Sequence, residues 1–206
     1  MSEHSSSRFE SAKRGAGALL SGAAAALLVM IGLLAAMWAI EVIDYMLPGS
    51  FDTEFGIAGW MPSGLFGIFF APFLHVGFAH LMANSLPLLI LGFLAGLRGL
   101  GKFFAASGLI VVIGGLGTWL TSPGIITVGA SGLVFGYFGY VLARGLFDRS
   151  AIDIVIGIGV AIAYYSILWG LLPNQEGISW QGHLFGLIGG VVAAWVLRRK
   201  RPSISY

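Results

Sequence analysis

The chain has 206 residues, 57% of them hydrophobic and only 10% charged, with a mean hydropathy of +0.91. A soluble domain of this length needs more surface charge, so the composition points to a polytopic membrane protein. The absence of cysteine excludes disulfides, thiolate metal sites and a cysteine nucleophile, and a net charge of +2 is too small to suggest nucleic-acid binding.

The amino-terminal stretch 1–16 is polar and reads as a disordered cytoplasmic tail. The apolar run that follows is too long for a signal-peptide core and is succeeded by further spans, so it reads as a retained anchor. Runs long enough to cross a bilayer fall at 17–43, 80–97, 103–121, 131–147, 152–172 and 182–197, separated by glycine, proline or charge. The expected fold is therefore an all-α bundle of six transmembrane helices occupying 17–198, with a basic tail at 199–206. Residues 44–79, between the first two spans, are too apolar and aromatic for a solvated loop and read as an interfacial structure anchored by Trp60 and the Phe69–Phe73 cluster.

With the amino terminus inside, all 11 basic residues fall on one side of the membrane, while Asp52, Glu54 and Glu176 lie on the other. The positive-inside rule then makes both termini cytoplasmic.

Polar residues inside spans are the candidates for chemistry: His80, Asn84, Ser131 and His183. Each has an ordinary reading, since small and amide side chains glue helices together and a histidine near a span end can sit among headgroups. His183 is the least easily explained that way, because ionisable groups within a span are costly. Depth argues against scatter. Counting back at about 1.5 Å per residue, Asn84 lies about 21 Å above Arg98, Ser131 about 20 Å above Arg144, and His183 about 22 Å above Arg198. In a core of roughly 30 Å these are one level, and His80 lies one turn above Asn84 on the same helix face. Gly186 and Gly190 flank His183, and Gly132, Gly136 and Gly139 flank Ser131, which would let the two helices approach closely.

The patterns "GASG" opening a span, "HLFGLIGG" in the last span and "HLMAN" in the second, preceded by "FLHVGFAH", resemble the rhomboid intramembrane serine proteases over roughly residues 17–198. The resemblance implies Ser131 as nucleophile and His183 as general base, with His80, Asn84 and the backbone N–H of Ser131 stabilising the oxyanion. The chemistry is coherent: a hydroxyl nucleophile needs an adjacent base, and the oxyanion needs preorganised donors. No Asp or Glu lies near this depth, so no third member of a triad is visible. Two departures stand out. Trp60 lacks the arginine that accompanies it in many rhomboids, so that part of the family's outer-loop anchoring is missing here. Phe135 stands where many have tyrosine, keeping a stacking surface without a hydroxyl.

The resemblance implies substrates that are themselves transmembrane proteins, surrounding lipids as the other partner, no metal or organic cofactor, and a bacterial plasma membrane as the location. A transporter would require intramembrane charge or broken helices in paired halves, and no buried carboxylate is expected beyond the rim residues Glu41 and Asp44. A metalloprotease would require His-Glu-x-x-His, which is absent. The remaining alternative is a catalytically silent relative that binds and escorts membrane clients.

Overall fold

A computed structural model describes residues 3–173 and 175–199; Asn174 and most of the expected basic tail, 200–206, lie outside the described residues. Its elements in chain order are α1 (Glu3–Met46), α2 (Phe51–Phe55), β1 (Ile57–Ala58), α3 (Gly67–Phe70), α4 (Phe78–Gly96), α5 (Leu100–Thr121), β2 (Ile126–Thr127), α6 (Ser131–Asp148), α7 (Ala151–Ala163) and α8 (Trp180–Val196), with short 3₁₀ segments between several of them.

The helix boundaries follow local chemistry. Helix α1 stops just before Pro48, which disfavours helical backbone in the residue preceding it. Arg149, left-handed at φ 51°, ends α6, and Ser150 caps α7 by accepting the Asp153 N–H. Against expectation, α1 begins at Glu3 rather than near residue 17. The polar stretch contains good helix formers and no proline or glycine before Gly15, so nothing interrupts propagation from the apolar span into it.

Three helices are long and apolar enough to cross a membrane, namely Gly17–Met46, Phe78–Gly96 and Leu100–Thr121. A fourth arises if α7 and the 3₁₀ segment Tyr165–Leu171 count as one span, although they meet at 67°. The expected straight helix over 152–172 is therefore broken. The break turns the Gly170 backbone toward α8, a contact described below. Helices α6 and α8 do not meet the same length-and-apolarity measure. The reasons differ: α8 is apolar but only 17 residues long, whereas α6 is the central helix, buried continuously from Leu133 to Val141, and a helix surrounded by protein need not present an apolar surface to lipid.

Helix α8 packs most extensively on α6 and then on α5, with α7 and α4 completing the ring around α6 and α1 lying on α4. The core between them includes Met30, Met37, Leu81, Leu88, Leu91, Phe103, Ile110 and Tyr137. The phenol of Tyr137 is satisfied by Ser107 at 2.7 Å. Glycine sets the spacing of the central pair: a Cβ on Gly186 would collide with the Gly132 carbonyl, and one on Gly190 with the Gly136 carbonyl. Gly136 departs from the expected α6–α8 stripe, because its own Cβ would strike Ile110 of α5.

At one end of the bundle Arg98 pairs with Asp148 at 2.7 Å and Asp153 at 2.6 Å. Arg144, 3% exposed, donates from Nη1 to the Leu94 carbonyl at 2.6 Å. Its Nε faces Asp153 at 3.2 Å as an ion pair rather than an aligned hydrogen bond. This corrects the expectation that carboxylates would be found only at the rim of the first span: Asp153 is 7% exposed. It can be buried because two guanidinium groups neutralise it and the cluster ties α4, α6 and α7 together.

The segment 44–79 folds back over the opposite end. β1 pairs antiparallel with β2, Ile57 opposite Thr127. Trp60 donates its indole N–H to the Leu120 carbonyl at 2.8 Å, and Trp119 donates to the Met61 carbonyl at 2.9 Å. The loop is thus tied to α5 without the arginine, by a reciprocal tryptophan pair of which Trp119 was not singled out in the sequence.

Candidate active site

Ser131 is the first residue of α6, so its backbone N–H is among those a helix start leaves unpaired. The turn before it is held from behind. Gly129 donates its N–H to the Ala71 carbonyl at 2.9 Å, and the Ala130 N–H is accepted by His75 Nε2 at 3.2 Å. Gly129 has φ +119°, a conformation that glycine alone adopts freely, and a Cβ there would lie 2.7 Å from His80 Cε1. The sequence "GAS" therefore needs its glycine twice, once for the turn and once for the imidazole against it.

His75 is 1% exposed and meets the His80 ring edge-on at 5.2 Å between centroids. Burial, with His80 beside it, pulls its pKa down to about 4. A neutral ring with a lone pair on Nε2 is what the Ala130 N–H requires. In the sequence His75 is marked only by its place in "FLHVGFAH", five residues before His80.

His183 sits in the first turn of α8, which Ser179 caps by accepting the Gly182 N–H at 3.2 Å. The imidazole is 8% exposed and held on two sides. Phe135, one turn after Ser131 on α6, stacks on it with centroids 4.1 Å apart and planes 11° from parallel. Its Nδ1 lies 2.8 Å from the carbonyl oxygen of Gly170, in the 3₁₀ segment after α7. Nothing in the sequence announced this second contact, because a backbone carbonyl has no residue type.

Asn84, 7% exposed, donates one amide hydrogen to the His80 carbonyl one turn back at 3.0 Å, leaving the other hydrogen of the amide for a further acceptor. His80, Asn84, Ser131, Phe135, Gly170 and His183 line a single cavity of about 920 Å³. The four polar residues singled out in the sequence are thus brought together from α4, α6 and α8. Residues Gln175, Ile178 and Ser179 of the α7–α8 connection and Ile125–Val128 of the α5–α6 connection line it as well, so the cavity belongs to the end of the bundle bearing the 44–79 segment. Among the described residues no group of three or more His, Asp or Glu is arranged to hold a metal ion.

Known proteins carry related sequences. Residues 62–200 match the Rhomboid domain. The protein Rv1337 of Mycobacterium tuberculosis is 46% identical over 172 residues, covering 79% of this chain and 71% of that protein. The rhomboid protease GluP of Bacillus subtilis is 34% identical over 125 residues, 60% of this chain and 24% of that much longer protein. The RHOMBOID-like protein 5 of Arabidopsis thaliana is 30% identical over 145 residues, 65% of this chain and 44% of its own. With the family's domain matched over most of the chain, and with membrane-length helices in a bundle whose cavity brings a serine and a histidine together, this integral membrane protein belongs to the rhomboid family.

Proposed function

We propose that the chain is an intramembrane serine protease that hydrolyses peptide bonds in or beside the transmembrane segments of other membrane proteins. The observation that carries this reading is the shared cavity of Ser131 and His183, with Asn84 and His80 on its wall. Ser131 Oγ attacks the substrate carbonyl carbon while its proton passes to His183 Nε2. The developing oxyanion is met by the free amide hydrogen of Asn84, the His80 ring and the unpaired Ser131 N–H at the positive end of α6. Collapse of the tetrahedral intermediate breaks the C–N bond, and His183 returns the proton to the leaving nitrogen. Water then attacks the acyl-serine by the same route, with His183 again taking and returning a proton.

This reading includes six crossings, with the short buried α6 and α8 and the broken α7 counted as spans, and both termini in the cytoplasm. The Arg98–Asp148–Asp153–Arg144 cluster and the basic residues then lie on the inner side, and the cavity opens outward, where water is available. The named protease GluP and the mycobacterial relative support a bacterial plasma membrane as the location. A cysteine replacing Gln175 should react with an impermeant thiol reagent in intact cells and one replacing Gly101 should not; the reverse pattern overturns the orientation.

The competing reading is a silent family member that binds membrane clients without cleaving them. A serine-directed fluorophosphonate separates the two. Labelling of the wild-type chain that disappears in Ser131→Ala is expected, and failure of the folded wild type to label sinks the protease reading.

A further inference from the structure

A serine–histidine site must solve an orientation problem. A neutral imidazole carries one proton, and the base is useful only if that proton is on the nitrogen facing away from the serine. In a triad a carboxylate holds it there. Here, among the described residues, none that lines the cavity is Asp or Glu.

The break after α7 supplies an alternative. Past Ala163 the chain tightens into the 3₁₀ segment Tyr165–Leu171 and leaves it in extended conformation at Leu172. The last carbonyls of a helix have no partner within it. The Trp169 carbonyl accepts from Leu172 N–H at 3.0 Å and from Gln175 Nε2 at 2.6 Å. The next carbonyl, that of Gly170, points at His183 Nδ1 from 2.8 Å. A carbonyl oxygen can only accept, so Nδ1 must carry the ring's proton and Nε2 its lone pair. The absence of a side chain at Gly170 permits the approach. A Cβ there would lie 2.8 Å from Nδ1 and 3.1 Å from Phe135 Cζ, so any larger residue pushes the turn off the ring. The imidazole is thereby gripped between the Phe135 face and the Gly170 backbone.

We infer that the Gly170 carbonyl, presented by the broken seventh helix, is the positioning group that fixes the tautomer and orientation of His183, the place a carboxylate holds in a triad. The inference rests on the serine-protease reading. Gly170 touches no substrate and acts only through His183. When Ser131 gives its proton to Nε2 the Nδ1 proton stays where it is, the imidazolium then donates from Nε2 to the leaving nitrogen, and the carbonyl is never protonated. Being neutral, it orients the ring without adding a full negative charge to the site.

The test uses the full chain, labelled with ¹⁵N-histidine, in detergent micelles. The sequence has four histidines, so the signal lost in His183→Gln assigns the ring. The wild-type spectrum should show a protonated Nδ1 and an unprotonated Nε2 for neutral His183. In Gly170→Ala the ring should shift toward the other tautomer and kcat should fall by about 100-fold, the scale of an ångström-sized misplacement, with KM unchanged. A wild-type His183 protonated on Nε2 overturns the inference without recourse to any variant, which covers the case where Gly170→Ala does not fold. So does a folded Gly170→Ala protein that keeps the Nδ1–H form, whatever its activity, or one that changes tautomer with kcat unaltered. If wild-type His183 shows the Nδ1–H form but Ser131 resists the fluorophosphonate, the protease reading falls and the catalytic role of the contact falls with it, while the tautomer assignment stands.

Discussion

The Phe135 ring lies almost flat on the His183 imidazole, 4.1 Å away at centroid level and 11° from parallel. Because Phe135 follows Ser131 by one helical turn, the same face of α6 carries both the hydroxyl and the platform on which the imidazole rests. Phe135→Leu keeps apolar volume but removes the flat surface. It should lower kcat by about two- to tenfold, as expected when an aromatic pair worth roughly 0.5–1.5 kcal/mol is lost, while Phe135→Tyr should stay near wild type. Steady-state cleavage of a transmembrane substrate checks both, and unchanged kcat in the leucine variant removes the stack from the mechanism.

A nucleophile and its base act as one unit. Ser131→Ala and His183→Ala should each abolish cleavage, and the double variant should be no worse than either, because the second loss removes nothing that still functions. Single-turnover assays on folded protein provide the comparison. Clear proteolysis by Ser131→Ala would mean the nucleophile lies elsewhere.

The wall of the cavity should behave differently from the pair. Asn84→Ala and His80→Ala should each slow turnover by about 10²–10³-fold, the usual cost of one oxyanion donor. Slow fluorophosphonate labelling of Ser131 should survive in both. Asn84→Asp is the sharper variant, since it keeps the size but places a carboxylate where the oxyanion forms, and it should be at least as impaired as the alanine. Wild-type rates in Asn84→Ala would reduce that residue to its bond with the His80 carbonyl.

Close approach of α6 and α8 depends on Gly186 far more than on Gly136. A valine at Gly186 drives into the Gly132 backbone, one residue from Ser131, and should cost about 100-fold in rate through misplacement of the pair. At Gly136 the side chain meets Ile110 of α5, a movable side chain, so Gly136→Val should chiefly lower stability, by about 1–3 kcal/mol as overpacking does. Cleavage rate and thermal melting measured together separate the two effects, and equal behaviour of both variants would contradict this division.

Acid should expose the part played by His75. Its folded pKa of about 4 lies below the usual value of 6.5, so the unfolded chain binds the proton first as pH falls. The stability His75 contributes is therefore complete above about pH 6.5 and is lost as pH drops toward 4. Asp52, raised to about 6 by burial and by the nearby Asp44 and Glu41, works in the opposite direction over part of this range. The informative quantity is thus the stability of wild type minus that of His75→Gln. That difference should shrink between pH 6.5 and 4, and a difference independent of pH would mean the ring is not buried neutral.

The residues of the cavity were legible because membrane segments restrict what a polar side chain can mean. Ser131, His183, His80 and Asn84 stand out against apolar spans, and similar distances from Arg98, Arg144 and Arg198 put three of them at one depth from the sequence alone. Those arginines served only as depth markers, and what the linear order did not reveal is that Arg144 is buried and paired with Asp153, because the partners of that acid come from other segments of the chain. The break in α7 was equally hidden. No proline or glycine marks Tyr164, and an apolar run of that length reads as one span.

Hydropathy, charge asymmetry and motif spacing are properties of neighbours along the chain, so the membrane class, the family and the identities of the polar residues were all present in the order of amino acids. The hydrogen bonds that hold those residues belong to segments far apart in sequence. His75 accepting from Ala130, Trp119 reaching back to Met61 and the Gly170 carbonyl turned onto His183 arise only once the helices are packed and α7 is bent. Two of those three contacts end on a backbone carbonyl and the third on a backbone N–H. Every residue carries such groups, apart from proline's missing N–H, and so no residue type could have foretold which of them the folded chain would use.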